Sequence, residues 1–217
     1  MIKSKEWDWE RGIEEKWWSE PSEDVYYYLH RWKDQGFKRF LDLGCGLGRH
    51  AILFAHNGFE VEAMDLAEKG LEVLRQNSKT LHLNIGISLG DMNHLPYTAG
   101  TFDCLLAYHV ISHTDSSGIK NIIGEINRVL VHGGEFFITL CSKESPSYKS
   151  GKHPIIDENT ILKTEGPEIE VPHFYCDLDT VKEIISEFET LHLRHIQDIY
   201  ENTYSWHYFV HGKKKDL

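Results

Sequence analysis

The chain has 217 residues, a length that suits one domain with a full hydrophobic core. Its 23 Lys and Arg residues against 34 Asp and Glu residues give a net charge of −11. Because nucleic acids select basic surfaces, this charge disfavours DNA or RNA as a partner. Apolar runs such as 136–141 are far shorter than the roughly 20 residues that span a bilayer, and the first residues lack the apolar segment of a secretory signal. We therefore expect no membrane segment and a cytoplasmic location.

The spacing of apolar residues predicts helices and strands in alternation. A first helix carries Val25, Tyr28, Leu29 and Trp32 at helical spacing and is expected to end near Gly36. Strands are then expected at 40–43, 60–64, 83–89, 102–107 and 135–140, with helices at 49–56, 67–76 and 119–130. Residues 142–173 contain four prolines and no clear period, which predicts a cap-like insertion. A helix at 181–188 and two strands at 191–199 and 206–211 follow it.

Strands that alternate with helices pair in parallel through right-handed crossovers. No helix separates the last two predicted strands, so they are expected to pair as an antiparallel hairpin. The predicted fold class is α/β: a doubly wound, mostly parallel, Rossmann-like sheet with a C-terminal antiparallel hairpin. We expect residues 1–217 to form a single domain, in which residues 1–36 are a helical arm or lid and residues 142–173 are the insertion.

A glycine-rich loop, Gly44-Cys45-Gly46-Leu47-Gly48, joins the first strand to a helix. Alternate glycines let a backbone turn tightly and approach a ligand at a helix N-terminus. Asp65 ends the second strand, 21 residues after Gly44, where a carboxylate can accept hydrogen bonds from both hydroxyls of a ribose. Asp91 follows the third strand, where it can accept from an adenine amino group beside Met92. The alternatives are a purely structural turn and aspartates that only cap helices or turns.

The chain resembles the class I S-adenosylmethionine-dependent methyltransferases, in the type 11/12-like group that acts on small molecules. The segments that carry the resemblance are LDLGCGLGRHAILFA, VEAMDLA, GDM, TFDCLLAYHVISH and EINRVLVHGGEFFITL. The resemblance implies S-adenosylmethionine as the cofactor and an unidentified, small-molecule methyl acceptor as the partner. It places Tyr108 beside the sulfonium. The cofactor-binding residues that it implies are Asp42, Gly44, Cys45, Gly46, Asp65, Leu66, Asp91, Met92 and Tyr108.

Two other functions stay open at this point. Residues 46–51, Gly-Leu-Gly-Arg-His-Ala, also satisfy the G-x-G-x-x-G/A fingerprint of NAD(P)-dependent oxidoreductases. That fingerprint needs neither Asp42 nor Gly44, and a second nucleotide-binding half would be parallel throughout rather than end in a hairpin. The other alternative is a catalytically silent module that binds S-adenosylmethionine without transferring a methyl group.

The residues on the acceptor side are predicted less directly. A sulfonium donor is already activated, so the protein mainly aligns the reactants, and a base is needed only when the acceptor must lose a proton. His113 follows the fourth strand and is the candidate base, although a histidine there can also simply cap or pack. The candidate substrate-binding residues are Trp17, Trp18, Arg49, His173 and His207.

A resident metal is not predicted. Fourteen histidines make chance clusters easy, so a metal site from His113, His173 and His207 is weighed against plain pocket lining, and pocket lining is preferred. The cysteines form neither a C-x-x-C pair nor a zinc spacing and are expected to be mostly buried thiols; they are Cys45, Cys104, Cys141 and Cys176.

Overall fold

Six helices and ten strands are present in the computed structural model, which describes residues 4–9, 18–165, 168–201 and 203–216. The helices are α1 (Glu23–Asp34), α2 (Arg49–His56), α3 (Glu68–Thr80), α4 (Ser116–Val129), α5 (Pro146–Lys149) and α6 (Leu178–Ile184). The strands are β1 (Arg39–Leu43), β2 (Glu60–Asp65), β3 (Ile85–Leu89), β4 (Phe102–Ala107), β5 (Leu130–Ser142), β6 (Ile155–Asp157), β7 (Thr160–Leu162), β8 (Pro172–Cys176), β9 (Phe188–Ile199) and β10 (Tyr204–Lys214).

The central sheet has the order β3-β2-β1-β4-β5, and all of these neighbours pair in parallel. β10 lies antiparallel beside β5, and β9 lies antiparallel beside β10. The predicted Rossmann-like sheet with a C-terminal antiparallel hairpin is therefore confirmed. The strand order runs in one direction from β1 to β3 and in the opposite direction from β4 to β5. The carboxyl ends of β1 and β4 therefore border the crevice where doubly wound sheets bind ligands.

Residues 142–173 contain more regular structure than the sequence indicated. β6, β7 and β8 form a small antiparallel ribbon, and β8 also joins the end of β5 in parallel, with Cys141 beside Tyr175 and Ser142 beside Cys176. Strands of three residues are too short to show an alternating pattern, which explains why this part of the chain lacked a period. The ribbon brings its own polar residues to the crevice.

The core is formed on both faces of the sheet by the apolar sides of the helices. The face of α1 that carries Val25, Tyr28, Leu29 and Trp32 is buried, as its spacing predicted, although the helix ends at Asp34 rather than near Gly36. Trp32 packs against the rings of Phe40 and Phe54, which stack on each other at 3.8 Å. Within the described residues, no helix is both long enough and apolar enough to cross a membrane.

Candidate functional site

A cavity of about 1080 Å³ opens at the carboxyl ends of β1, β2 and β4. Of the predicted cofactor-binding residues, eight line this cavity: Gly44, Cys45, Gly46, Asp65, Leu66, Asp91, Met92 and Tyr108. The same cavity is lined by Trp18, Arg49, His113, His173 and His207. The predicted residue Trp17 lies outside the described residues. The fold thus gathers almost every predicted site residue around one space.

The floor of the cavity is the glycine loop. Gly44 has a φ of +70°, and a Cβ placed there would lie 2.2 Å from Cγ2 of Val110, so only glycine fits. The backbone N–H groups of Gly44 and Cys45 both donate to the carbonyl oxygen of Met64, at 2.7 and 3.0 Å. These bonds fix the bend against the end of β2 and leave the peptide of Gly46 facing Asp65.

Asp65 connects the glycine loop to the start of α3. One carboxylate oxygen accepts from the backbone N–H of Gly46 at 2.8 Å, and the other accepts from the backbone N–H of Ala67 at 2.8 Å. Burial raises the pKa of this carboxyl group above its usual range, and the backbone donors counteract part of that effect. Each oxygen keeps a second lone pair, so these two backbone contacts and the predicted acceptance from ribose hydroxyls are compatible.

Asp91 lies at the far end of the cavity, where its orientation is set by Asn93. Its Oδ1 atom accepts from both the backbone N–H and the side-chain amide of Asn93, each at 2.9 Å. Burial alone would raise the pKa of Asp91, but the hydrogen bonds from Asn93 and Ser4 outweigh it and hold that pKa below its usual value. Asp91 is therefore an ionised acceptor at neutral pH, as recognition of an amino group requires.

Asp42 does not line the cavity. The residue is only 2% exposed, and its carboxylate accepts from the backbone N–H of Ala51 at 2.9 Å, beneath the glycine loop. Burial raises its pKa to about 7. Asp42 thus holds the first turn of α2 in place, and a direct contact between this side chain and the cofactor stays a prediction.

Tyr108 forms a wall of the cavity beside α2. Its hydroxyl accepts from the side chain of Ser22 at 2.7 Å, and burial raises its pKa to about 12, so the phenol is neutral at pH 7. The guanidinium of Arg49 lies 5.8 Å from the ring of Tyr108 and 5.5 Å from the ring of Trp18, within the range of cation–π attraction. The predicted substrate residues Trp18 and Arg49 therefore meet at this wall.

Three tryptophans from the N-terminal segment cover the glycine loop. The rings of Trp7, Trp9 and Trp18 lie 5.6 to 6.1 Å from one another. Trp9 is 7% exposed and touches the bend so closely that a Cβ on Gly46 would lie 2.5 Å from its ring. Trp7 stacks on the ring of His113 at 5.8 Å, which links this cover to the other half of the cavity.

The other half of the cavity contains a cluster of polar side chains that the sequence predicted only in part. His113 and His173 lie against each other, with ring centroids 4.7 Å apart, and Glu168 lies 3.6 Å from His113 Nε2 and 3.2 Å from His173 Nε2. Lys163 forms an ion pair with the same carboxylate. Burial lowers the pKa of His113 to about 4, so this imidazole is neutral at pH 7. Lys163 and Glu168 had no signal in the sequence, because residues 142–173 show no clear period of apolar residues.

His207 does not join this cluster and instead packs on His109, at 4.4 Å between ring centroids. Its Nδ1 atom lies 3.1 Å from a carboxylate oxygen of Asp198, and Cys141 is its direct neighbour across the β5–β10 pairing. Burial alone would lower the pKa of His207, but hydrogen bonds with Asp198 and Cys141 outweigh it and raise that pKa to about 9. Cys141 and Asp198 were not predicted from the sequence. Knowledge of the strand register would have been needed to predict them as site residues.

Comparison with known proteins agrees with this geometry. Residues 40–134 match a family model described as a methyltransferase domain. A ubiquinone biosynthesis O-methyltransferase from Methylocella silvestris is 32% identical over 111 residues, which cover 51% of this chain and 42% of that protein. The chain spans about half the length of the curated relatives it matches.

Two solved structures share the fold at low sequence identity. A SAM-dependent methyltransferase from Methanosarcina mazei has a TM-score of 0.76 at 17% identity, over 91% of this chain and 100% of that one. The 1,6-didemethyltoxoflavin-N1-methyltransferase of Burkholderia thailandensis, with bound 1,6-didemethyltoxoflavin and S-adenosylhomocysteine, has a TM-score of 0.68 at 16% identity, over 95% of this chain and 83% of that one. The glycine loop and both aspartates lie inside the matched region, so residues 40–134 form a methyltransferase domain, and the chain has the fold of solved S-adenosylmethionine-dependent methyltransferases.

Proposed function

We propose that this protein transfers a methyl group from S-adenosylmethionine to a small-molecule acceptor. The observation that carries the proposal is the convergence of the Gly44–Gly46 bend, Asp65 and Asp91 on one cavity. Glycine backbone, a carboxylate at the ribose position and an ionised carboxylate at the adenine position are the chemical groups that a nucleoside donor needs. The family match over residues 40–134 supports the same activity.

The cofactor supplies an electrophilic methyl group on sulfur, which an acceptor atom can attack in line as the carbon–sulfur bond breaks. The chain's own contribution is alignment and exclusion of water. Tyr108 presents a neutral hydroxyl to the cavity, and the tryptophan cover restricts access of solvent to the glycine loop. His113, the candidate base, places a neutral imidazole in the cavity wall, and its role as a proton acceptor stays a prediction.

We propose that the methyl acceptor binds between Tyr108 and the cluster at His113. The other candidate substrate residues that line this space are Trp18, Arg49, His173 and His207. A small molecule is favoured over a nucleic acid because the chain carries a net charge of −11. We also propose a cytoplasmic location, which is supported by four cysteines that are all free thiols.

Calorimetric titration tests the proposal directly. S-adenosylmethionine and S-adenosylhomocysteine are expected to bind with dissociation constants of micromolar order, the common range for enzyme ligands, whereas NAD and NADP give no heat. Heat with the nicotinamide cofactors alone would overturn the assignment. A screen for release of S-adenosylhomocysteine against a metabolite library then separates an active enzyme from a silent binding module and identifies the acceptor.

We further propose that the N-terminal arm acts as a lid over the cofactor. Its tryptophans Trp7, Trp9 and Trp18 cover the bend, while the core helix α1 begins only at Glu23. Deleting residues 1–18 is expected to weaken binding of S-adenosylmethionine about tenfold, which corresponds to about 1.4 kcal/mol, and to lower the free energy of unfolding by less. Titration calorimetry and urea unfolding of the same deletion measure the two quantities. Equal losses in both would show that the arm only packs.

A further inference from the structure

His113, Glu168 and His173 have the spacing of metal ligands. Their donor atoms all lie within 4.8 Å of one another. The carboxylate oxygens of Glu168 are 3.6 Å from His113 Nε2 and 3.2 Å from His173 Nε2. A divalent ion with bonds of about 2.1 Å holds neighbouring donor atoms about 3.0–3.4 Å apart. The two distances therefore fit a shared ion after shifts of a few tenths of an ångström.

The hydrogen bonding of His173 shows which of its ring atoms faces the cluster. Its Nδ1 atom lies 3.0 Å from the carbonyl oxygen of Val171, and because a carbonyl only accepts, Nδ1 carries the proton. Nε2 is thus left with a lone pair. The residue is 1% exposed, and within the described part of the chain this Nε2 atom has no hydrogen-bond partner. A backbone carbonyl that fixes the tautomer in this way is the usual support of a metal-binding histidine.

The unpartnered lone pair of His173 faces another acceptor, the carboxylate of Glu168. Two acceptors in contact, one of them fully buried and the other half-buried, are unfavourable unless a cation lies between them. Lys163 supplies one cation to the carboxylate, through its contact with Oε2 of Glu168, but His173 Nε2 is still left without a donor. The ammonium is on a flexible four-carbon side chain that can move aside, whereas the imidazole is held by Val171.

We propose that His113, Glu168 and His173 bind a divalent transition-metal ion such as zinc, with Lys163 as the competing cation of the metal-free state. Two imidazoles and one carboxylate favour zinc and its neighbours in the first transition row over magnesium or calcium. Three protein ligands leave coordination positions open, and all three residues line the cavity. The ion can therefore hold the nucleophilic atom of the acceptor, a consequence that rests on the proposed methyl transfer. The lone pair of His113 that binds the ion is then not available to accept a proton.

The test is binding of Co²⁺, as a spectroscopic substitute for zinc, to the chelator-treated full chain. We expect one ion per chain with visible absorption bands. Glu168→Gln and His173→Ala are each expected to weaken binding on the order of a hundredfold, because each removes one of three ligands. Lys163→Met is expected to tighten binding, since the competing charge is gone. His192→Asn, a change at an exposed histidine on β9, is the control and leaves binding unchanged.

Circular dichroism of each variant verifies that it is folded, and Glu168→Gln, at a half-buried position, keeps the test valid where His173→Ala does not fold. Absence of a stoichiometric ion in the wild-type chain overturns the proposal. Binding that survives both ligand variants also overturns it, because the ion then lies on other histidines. Metal binding without binding of S-adenosylmethionine would contradict the proposed function and leave the metal site standing, so the two failures are distinguishable.

Discussion

Replacing Glu135 with glutamine is expected to lower the free energy of unfolding by about 3–5 kcal/mol, the loss typical of breaking a buried ion pair. The Glu135 side chain is 3% exposed and accepts five hydrogen bonds. Two come from the guanidinium of Arg31 at 2.7 and 2.9 Å, and the others come from Trp32, Gln35 and His211. An amide in place of the carboxylate turns one acceptor into a donor that faces these donors, and it leaves Arg31 without its counter-charge. The variant thus loosens α1 from β5 and β10 together.

Urea unfolding of both proteins at pH 7 measures this loss. Glu183→Gln is the matched control, because its ion pair with Lys120 at 3.2 Å is exposed and such pairs contribute less than about 1 kcal/mol. A Glu135→Gln protein as stable as the control would show that the carboxylate is replaceable.

The stability that Glu135 contributes is expected to depend on pH. Burial alone would raise the pKa of Glu135, but hydrogen bonds from His211, Arg31 and Gln35 outweigh it and hold that pKa well below its usual range. A depressed folded pKa contributes stability that is complete above the unfolded pKa of about 4.3 and is lost as the pH falls below it. The stability difference between wild type and Glu135→Gln is therefore expected to shrink between pH 7 and about pH 3. A difference that grows on acidification contradicts the assigned charge state.

Asp65→Ala is expected to weaken binding of S-adenosylmethionine by about 1–3 kcal/mol, through the loss of two hydrogen bonds to ribose. The structure adds a second reason, because the same carboxylate accepts from the backbone N–H groups of Gly46 and Ala67. Its removal leaves both donors unpaired in a partly buried loop and frees the bend that the cofactor needs.

Titration calorimetry against wild type measures the loss of affinity. Glu68→Gln is the control, since it removes a negative charge three residues away whose partner is the exposed Arg75. Unchanged affinity in Asp65→Ala would place the ribose elsewhere. A drop of equal size in both variants would mean that only the general charge of the region matters.

The sequence by itself determined the order of the elements, the sheet class and one half of the site. Parallel strands end at one edge of a sheet, so a residue that follows a strand is also placed beside the crevice. This rule was enough to predict Gly44, Asp65 and Asp91 at one cavity, and the family resemblance added Tyr108. Asp42 shows the limit of the rule. Side chains alternate within a strand, and this carboxylate points beneath the loop to Ala51 instead.

The other half of the site could be identified only from the tertiary structure. Lys163, Glu168 and His173 belong to a region whose strands of three to five residues have no readable period, and they reach His113 because β8 pairs with the end of β5. Glu135 likewise contacts Arg31 and His211, two residues that lie near opposite ends of the chain. Local patterns record which face of an element is apolar, whereas contacts between distant polar side chains depend on strand register and packing, which exist only once the chain has folded.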